Sequence, residues 1–171
     1  MTAPSAKEFR TALKAFVGNC SVLTCGEGAL ATGLIVTSTI SPSAEPPRLL
    51  ACVNSSASSW QVLKDTGRFG WSSLGAAHRD VAERFSGFGG VSGPDRYAGA
   101  DWETVQPGMR LLVGAPAAFG CVGEEMIDRD GYSIVMGRVE CQRINEGAGG
   151  LVWWNGFRPL SAQKLYRKHY G

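Results

Sequence analysis

Two neighbouring stretches decide the fold. They are Gly33-Leu34-Ile35-Val36-Thr37-Ser38-Thr39-Ile40-Ser41 and Pro46-Pro47-Arg48-Leu49-Leu50-Ala51-Cys52-Val53-Asn54. The first is rich in Thr, Ile and Val, which predicts a strand running from Leu30 to Ser41. Its alternation places Leu34, Val36, Ser38 and Ile40 on one face and Ile35, Thr37, Thr39 and Ser41 on the other. One face is mostly apolar and the other carries three hydroxyls. Pro42, lacking an N–H, is expected to end the ladder. In the second stretch Leu49 to Val53 is a continuous apolar run, as in a strand covered on both faces. It stops at Asn54-Ser55-Ser56-Ala57-Ser58-Ser59, a serine cluster that leads into a helix from Trp60 to Thr66, closed by Gly67.

Outward from this pair the chain keeps the same punctuation. Ser5-Ala6-Lys7-Glu8 reads as a capping box. Phe9, Leu13, Phe16 and Val17 then recur at helical spacing, which predicts an amphipathic helix over residues 6–17. Short strands are expected at Ser21 to Thr24, at Arg68 to Leu74, and near 110–113, 117–126, 132–141 and 150–154. A short helix from His78 to Phe85 turns Val81, Ala82 and Phe85 inward and stops at Gly87. Residues 86–100 form a long glycine-rich loop, a length that often marks function. The sum is one domain spanning 1–171, mostly β: an antiparallel barrel of about six or seven strands with two or three short helices.

Composition narrows the function. The 171 residues include 23 glycines and 8 prolines, so the chain is turn-rich without being of low complexity. The formal net charge is +2 and no basic block occurs, which argues against nucleic acid as a partner. No apolar run approaches the ~18 residues of a membrane span, and the opening MTAPSAKEF has no signal-peptide core. A cytoplasmic location is therefore expected. The cysteines at 20, 25, 52, 121 and 141 are scattered among apolar neighbours and read as small hydrophobes in a reducing compartment, with no metal site. His78 and His169 lack partners that suggest a nucleophile or a metal. A Rossmann fingerprint, Gly-x-Ser-x-Gly and an evident carboxylate pair are all missing. What remains is the hydroxyl-rich stretch Thr37–Ser43 together with Asn54–Ser59. Short polar side chains at strand ends suit the edge of a polar heterocycle. A serine-preceded helix start suits a phosphate, though ordinary caps and a plain β-surface explain the same residues.

The ordered set of motifs resembles the short-chain flavin reductases, the small reductase components of two-component flavin-dependent monooxygenases. The match rests on the Gly33–Ser41 strand, Pro46-Pro47, the apolar strand ending Cys52-Val53-Asn54, and the serine cluster. It continues through Phe9-Arg10-x-Ala12-Leu13, Gly67-Arg68-Phe69, Ala82-Glu83-Arg84-Phe85-Ser86-Gly87, Asp95-Arg96-Tyr97 with Asp101-Trp102, and Leu151-Val152-Trp153 with Gly156-Phe157-Arg158. It covers about residues 8–160 and leaves a basic tail, 161–171. The resemblance implies an antiparallel split β-barrel, a homodimer, and hydride transfer from NADH or NADPH to FMN or FAD, with reduced flavin passed to a partner monooxygenase. It places Thr37, Ser38, Thr39 and Ser41 along the isoalloxazine, and Asn54, Ser56 and Ser58 at the ribityl-phosphate end. It sets Arg84 and Phe85 on the flanking helix. The cofactor carries the redox chemistry, which accounts for the lack of a catalytic acid or nucleophile.

Asp130-Gly131-Tyr132 departs from the family's Gly-Asp-His, whose His helps to hold the nicotinamide. Either Tyr132 stacks on the nicotinamide nucleotide, or that binding is lost, or Tyr132 simply faces the core. Two other readings stand beside the reductase. One is a flavin- or tetrapyrrole-binding module without reductase activity, or a corrinoid reductase. The other is a β-barrel interaction protein whose serines are caps.

Overall fold

In the computed structural model, which describes residues 2–161, the first opening stretch divides between the two edges of one sheet and the second forms the strand beside one of those edges. Twelve strands are described: β1 (Gly18–Asn19), β2 (Ser21–Cys25), β3 (Thr32–Val36), β4 (Thr39–Ala44), β5 (Pro47–Asn54), β6 (Arg68–Ser73), β7 (Trp102–Gln106), β8 (Met109–Leu112), β9 (Ala117–Arg129), β10 (Tyr132–Ile144), β11 (Gly150–Trp153) and β12 (Phe157–Leu160). Three helices join them: α1 (Ala6–Leu13), α2 (Trp60–Thr66) and α3 (Arg79–Phe85). The main sheet is antiparallel in the order β3-β2-β6-β9-β10-β5-β4, with a β7-β8 hairpin and a small β1-β11-β12 sheet beside it.

That order carries a geometric consequence. β3 and β4 are consecutive in the chain yet lie at the two free edges, joined only by Thr37 and Ser38. A two-residue link cannot cross a flat seven-stranded sheet, whose strands lie about 4.8 Å apart. The sheet must therefore curl until its edges meet. The link itself is held to β5, where the Cys52 amide donates to the Ser38 carbonyl at 3.1 Å and extends the β4–β5 ladder. This is the split barrel: a curled sheet with a seam.

The interior holds Leu23, Leu34, Val36, Ala51, Val53, Leu63, Phe69, Trp71, Cys121 and Val135 on one side of the sheet. A second cluster, including Val22, Leu74, Val81, Phe85, Tyr97 and Leu111, packs under α3 and the loop that follows it. Gly137 marks how tight the first cluster is, since a Cβ there would stand 2.4 Å from the Phe69 ring. Phe85, Tyr97 and Trp102 form a mutual aromatic group with centroids 5.0–5.3 Å apart.

Several expectations need correction. The strand foreseen from Leu30 to Ser41 breaks at Thr37–Ser38, because its two halves pair with different neighbours. Pro42 does not end the ladder. β4 continues through it with a register irregularity between Ile40 and Ser43, as an edge strand tolerates a proline at a bulge. α1 stops at Leu13, four residues early, where the chain tightens into i→i+3 bonds such as Phe16 N–H to the Leu13 carbonyl. Its Ser5–Glu8 capping box is present, but none of its residues is buried. The loop 86–100 is ordered by two short 3-10 turns, Phe88–Gly90 and Gly93–Tyr97, the second placing Arg96 and Tyr97 in the interior. β7 and β12 were not foreseen as strands. The basic tail 161–171 lies, apart from Ser161, outside the described residues.

Candidate functional site

A cavity of about 320 Å³ opens on the seam. β3 and the link supply Leu34 to Ser38, β5 supplies Cys52 and Asn54, the turn before α2 supplies Ala57 and Ser58, and the end of α3 supplies Phe85 and Ser86. Arg96 completes the wall. Each element arrives for a local reason. The edge strand β3 presents Leu34 and Val36 inward by alternation. α3 turns Phe85 under β3, where the chain leaves no side chain: a Cβ on Gly33 would stand 2.7 Å from the Phe85 ring and 2.3 Å from the Leu23 carbonyl. Gly87, at φ 79°, lets the chain turn away directly after α3.

Of the ten residues foreseen for a cofactor, the cavity brings together Thr37, Ser38, Asn54, Ser58 and Phe85. Among the described residues no hydrogen bond engages the hydroxyls of Thr37, Ser38 or Ser58, so they are available to a ligand. Asn54 is half engaged: its Oδ1 accepts from the Ser56 amide at 2.9 Å and the Ser56 hydroxyl at 2.8 Å.

The other five lie elsewhere. Thr39 is tied to Asn19, its hydroxyl donating to the Asn19 Oδ1 while the Asn19 amide donates to the Thr39 carbonyl at 3.0 Å. The Ser41 hydroxyl donates to the Arg48 carbonyl at 3.2 Å, at the β4 bulge. Ser56 serves Asn54 from outside the cavity. Arg84 is about 100° around the helix from Phe85 and lines a separate groove with Asp80, Phe88 and Gly99. Tyr132 begins β10 opposite Asn54, is 43% exposed, and is not in the cavity wall.

Arg96, Cys52 and Ser86 are wall residues that spacing did not single out. Arg96 was visible only as part of the Asp95-Arg96-Tyr97 match. It is 9% exposed, and burial holds its guanidinium below the usual arginine range. Its Nη1 donates to the Gly33 carbonyl, and its Nε donates to the Val91 carbonyl at 3.3 Å. Tyr97 beside it donates its hydroxyl to the Thr32 carbonyl at 2.6 Å. Between them they satisfy two successive carbonyls of β3, at Thr32 and Gly33. Of the thiols, Cys52 alone is exposed. Burial pushes Cys20 up to about 11 and Cys25 and Cys121 up to about 12, so those three are poor nucleophiles. No group of His, Cys, Asp or Glu that could hold a metal ion occurs among the described residues.

The arrangement fits a flat, partly apolar heterocycle with a polar edge and an anionic arm. It has an aromatic and aliphatic floor, free hydroxyls at one end and a buried cation in the wall. It contains no paired carboxylates and no activated nucleophile.

The flavin reductase like domain matches residues 13–161. The chain is 31% identical over 134 residues to the reductase subunit HsaB of a flavin-dependent monooxygenase from Mycobacterium tuberculosis, covering 78% of this chain and 70% of that one. It is 30% identical over 147 residues to the FMN reductase (NADH) RutF of Cronobacter sakazakii, covering 86% and 87%. Among solved structures, the NADH:FAD oxidoreductase SgcE6 of Streptomyces globisporus superposes with a TM-score of 0.82 at 26% identity, covering 94% of this chain and 97% of that one. The curled sheet, the seam and the matched span agree, and the chain belongs to the flavin reductase family, on the split-barrel fold that the resemblance implied.

Proposed function

We propose that the chain binds FMN or FAD in the seam cavity, transfers hydride to it from NADH or NADPH, and supplies the reduced flavin to a partner monooxygenase in the cytoplasm. The observation that carries the reading is the cavity itself, with its unengaged Thr37, Ser38 and Ser58 hydroxyls over a Phe85 floor. A bound flavin supplies the two-electron acceptor that the side chains lack. Leu34, Val36 and Phe85 exclude water from one face of the ring. Thr37 and Ser38 hold its polar edge through their hydroxyls, and Asn54 and Ser58 meet the ribityl arm. Holding the two rings in contact is the protein's contribution to rate. Tyr132, half-exposed one strand away beside Asn54, is placed to meet the nicotinamide nucleotide where the family's His is replaced.

A single domain over 1–171 acting as a homodimer accompanies this reading. α1 and the turn after it support the dimer, since Phe9, Leu13, Phe16 and Val17 are 42–71% exposed and leave apolar surface uncovered. Light scattering of the purified protein at twice the chain mass is the expected result.

The activity test mixes the protein with NADH or NADPH and free FMN or FAD, and follows the nicotinamide absorbance. Flavin-dependent loss of NADH or NADPH is expected. Tight flavin binding without turnover would favour a binding module instead, a reading motivated by Asp130-Gly131-Tyr132. Neither binding nor turnover would overturn both.

A further inference from the structure

We propose that Arg96 is the anion anchor of the cavity and holds the flavin phosphate nearest the ribityl chain, the one common to FMN and FAD. The inference rests on the flavin reading above and assigns a residue and a direction within the site.

Arg96 is nine-tenths buried, and no carboxylate lies within salt-bridge distance of it among the described residues. Its partners, the Gly33 and Val91 carbonyls, are neutral. A buried cation without a counter-charge is costly, so an arginine kept in such a place points to an anion that arrives with the ligand. Satisfying a β3 carbonyl does not require the charge. Tyr97, the next residue, does the same work for the Thr32 carbonyl with a neutral hydroxyl. The two carbonyl bonds fix the guanidinium plane and occupy two of its three nitrogens. The third, Nη2, lies beside the Gly87 turn, 3.8 Å from where a Cβ on Gly87 would stand. A held, planar fork matches phosphate oxygens.

The direction follows from the strand. Arg96 grips Gly33, and the free hydroxyls of the ring end begin at Thr37, four residues on, or about 13 Å along an extended chain. The turn before α2 lies at the Arg96 end. Cys25 pairs with Thr32, next to Gly33, and its thiol donates to the Ser59 carbonyl at 3.8 Å. Ser58 and Arg96 therefore meet the ligand at the end remote from Thr37.

The test compares FMN with riboflavin, which lacks the phosphate, by fluorescence titration of the full chain as wild type, Arg96→Gln and Arg96→Lys. Wild type is expected to prefer FMN by about tenfold or more, the scale of a hydrogen bond to a charged group. Arg96→Gln should lose that preference while riboflavin affinity stays within about twofold, and Arg96→Lys should restore part of it. Equal weakening toward both ligands, or no change, would overturn the assignment. If Arg96→Gln fails to fold by circular dichroism, Arg96→Lys decides. Its preference for FMN should fall below that of wild type while riboflavin affinity stays within about twofold, and an unchanged preference or equal weakening toward both would overturn it. Wild type that binds both flavins equally sinks this assignment alone, whereas wild type that binds neither sinks the flavin reading with it.

Discussion

The halves of the first stretch, β3 with its link and β4, share Thr, Ser and Ile and meet opposite fates. In β3 Leu34 and Val36 are buried and the following hydroxyls face a cavity. In β4 Ile40 is 61% exposed and the hydroxyls of Thr39 and Ser41 are spent on nearby polar groups. The richer aliphatic content of β3 suits its burial, but strand pairing decides which hydroxyls stay free. β3 lies on β2 and packs over α3, while β4 pairs only with β5 at the far edge. A Thr/Ser/Ile-rich run lines a cavity where another element covers one side and leaves the hydroxyls free.

The contrast can be broken most forcefully from below. Phe85→Ala removes the floor under β3 and should destabilise the protein by about 3–5 kcal/mol, read by chemical denaturation, with flavin affinity lost as well. Retained affinity at unchanged stability would mean that α3 does not define the site. Gly33→Ala should cost about 1–3 kcal/mol, because its Cβ meets the Leu23 carbonyl and the Phe85 ring. Ile40→Val, at an exposed position of β4, should stay within about 0.5 kcal/mol. Equal costs would erase the distinction between the edges. A smaller effect separates the hydroxyls. Thr37→Val with Ser38→Ala should weaken flavin binding by roughly thirtyfold, at about 1 kcal/mol for each hydrogen bond, while Thr39→Val with Ser41→Ala leaves it unchanged. Calorimetry with FMN checks both pairs, and equal losses would show that β4 also carries the ring.

The same contrast shows what a sequence reveals. α2 was legible from its serine approach to Gly67, which adopts the left-handed conformation at φ 58° that ends a helix. α3 was legible because Val81, Ala82 and Phe85 share one face and are all buried. The break at Thr37–Ser38 was not, since neither residue is a Gly or Pro and nothing local interrupts the strand pattern. It exists because the sheet curls and the chain changes edges, a tertiary fact. For the same reason half of the foreseen site residues fell outside the cavity. Thr39, Ser41 and Ser56 had suitable chemistry, but pairing aimed them at backbone or at one another. Arg84 and Tyr132 were carried by resemblance and lie beside the cavity rather than in it. Arg96 sat in a stretch read as a loop, where burial cannot be inferred from spacing. α1 shows the converse. Its periodicity was plain, but none of its residues is buried against the described part of the chain.

Cys52 offers the most direct test of the seam cavity as the flavin site. It lines the cavity and is the exposed thiol, while Cys20, Cys25 and Cys121 are buried and Cys141 is half-buried. Alkylation of the native protein with iodoacetamide, read peptide by peptide by mass spectrometry with and without saturating FMN or FAD, should show Cys52 labelled rapidly in the free protein and protected by flavin, with Cys141 unaffected. Flavin bound at saturation with Cys52 still alkylated at its free rate would place the flavin elsewhere and contradict the account.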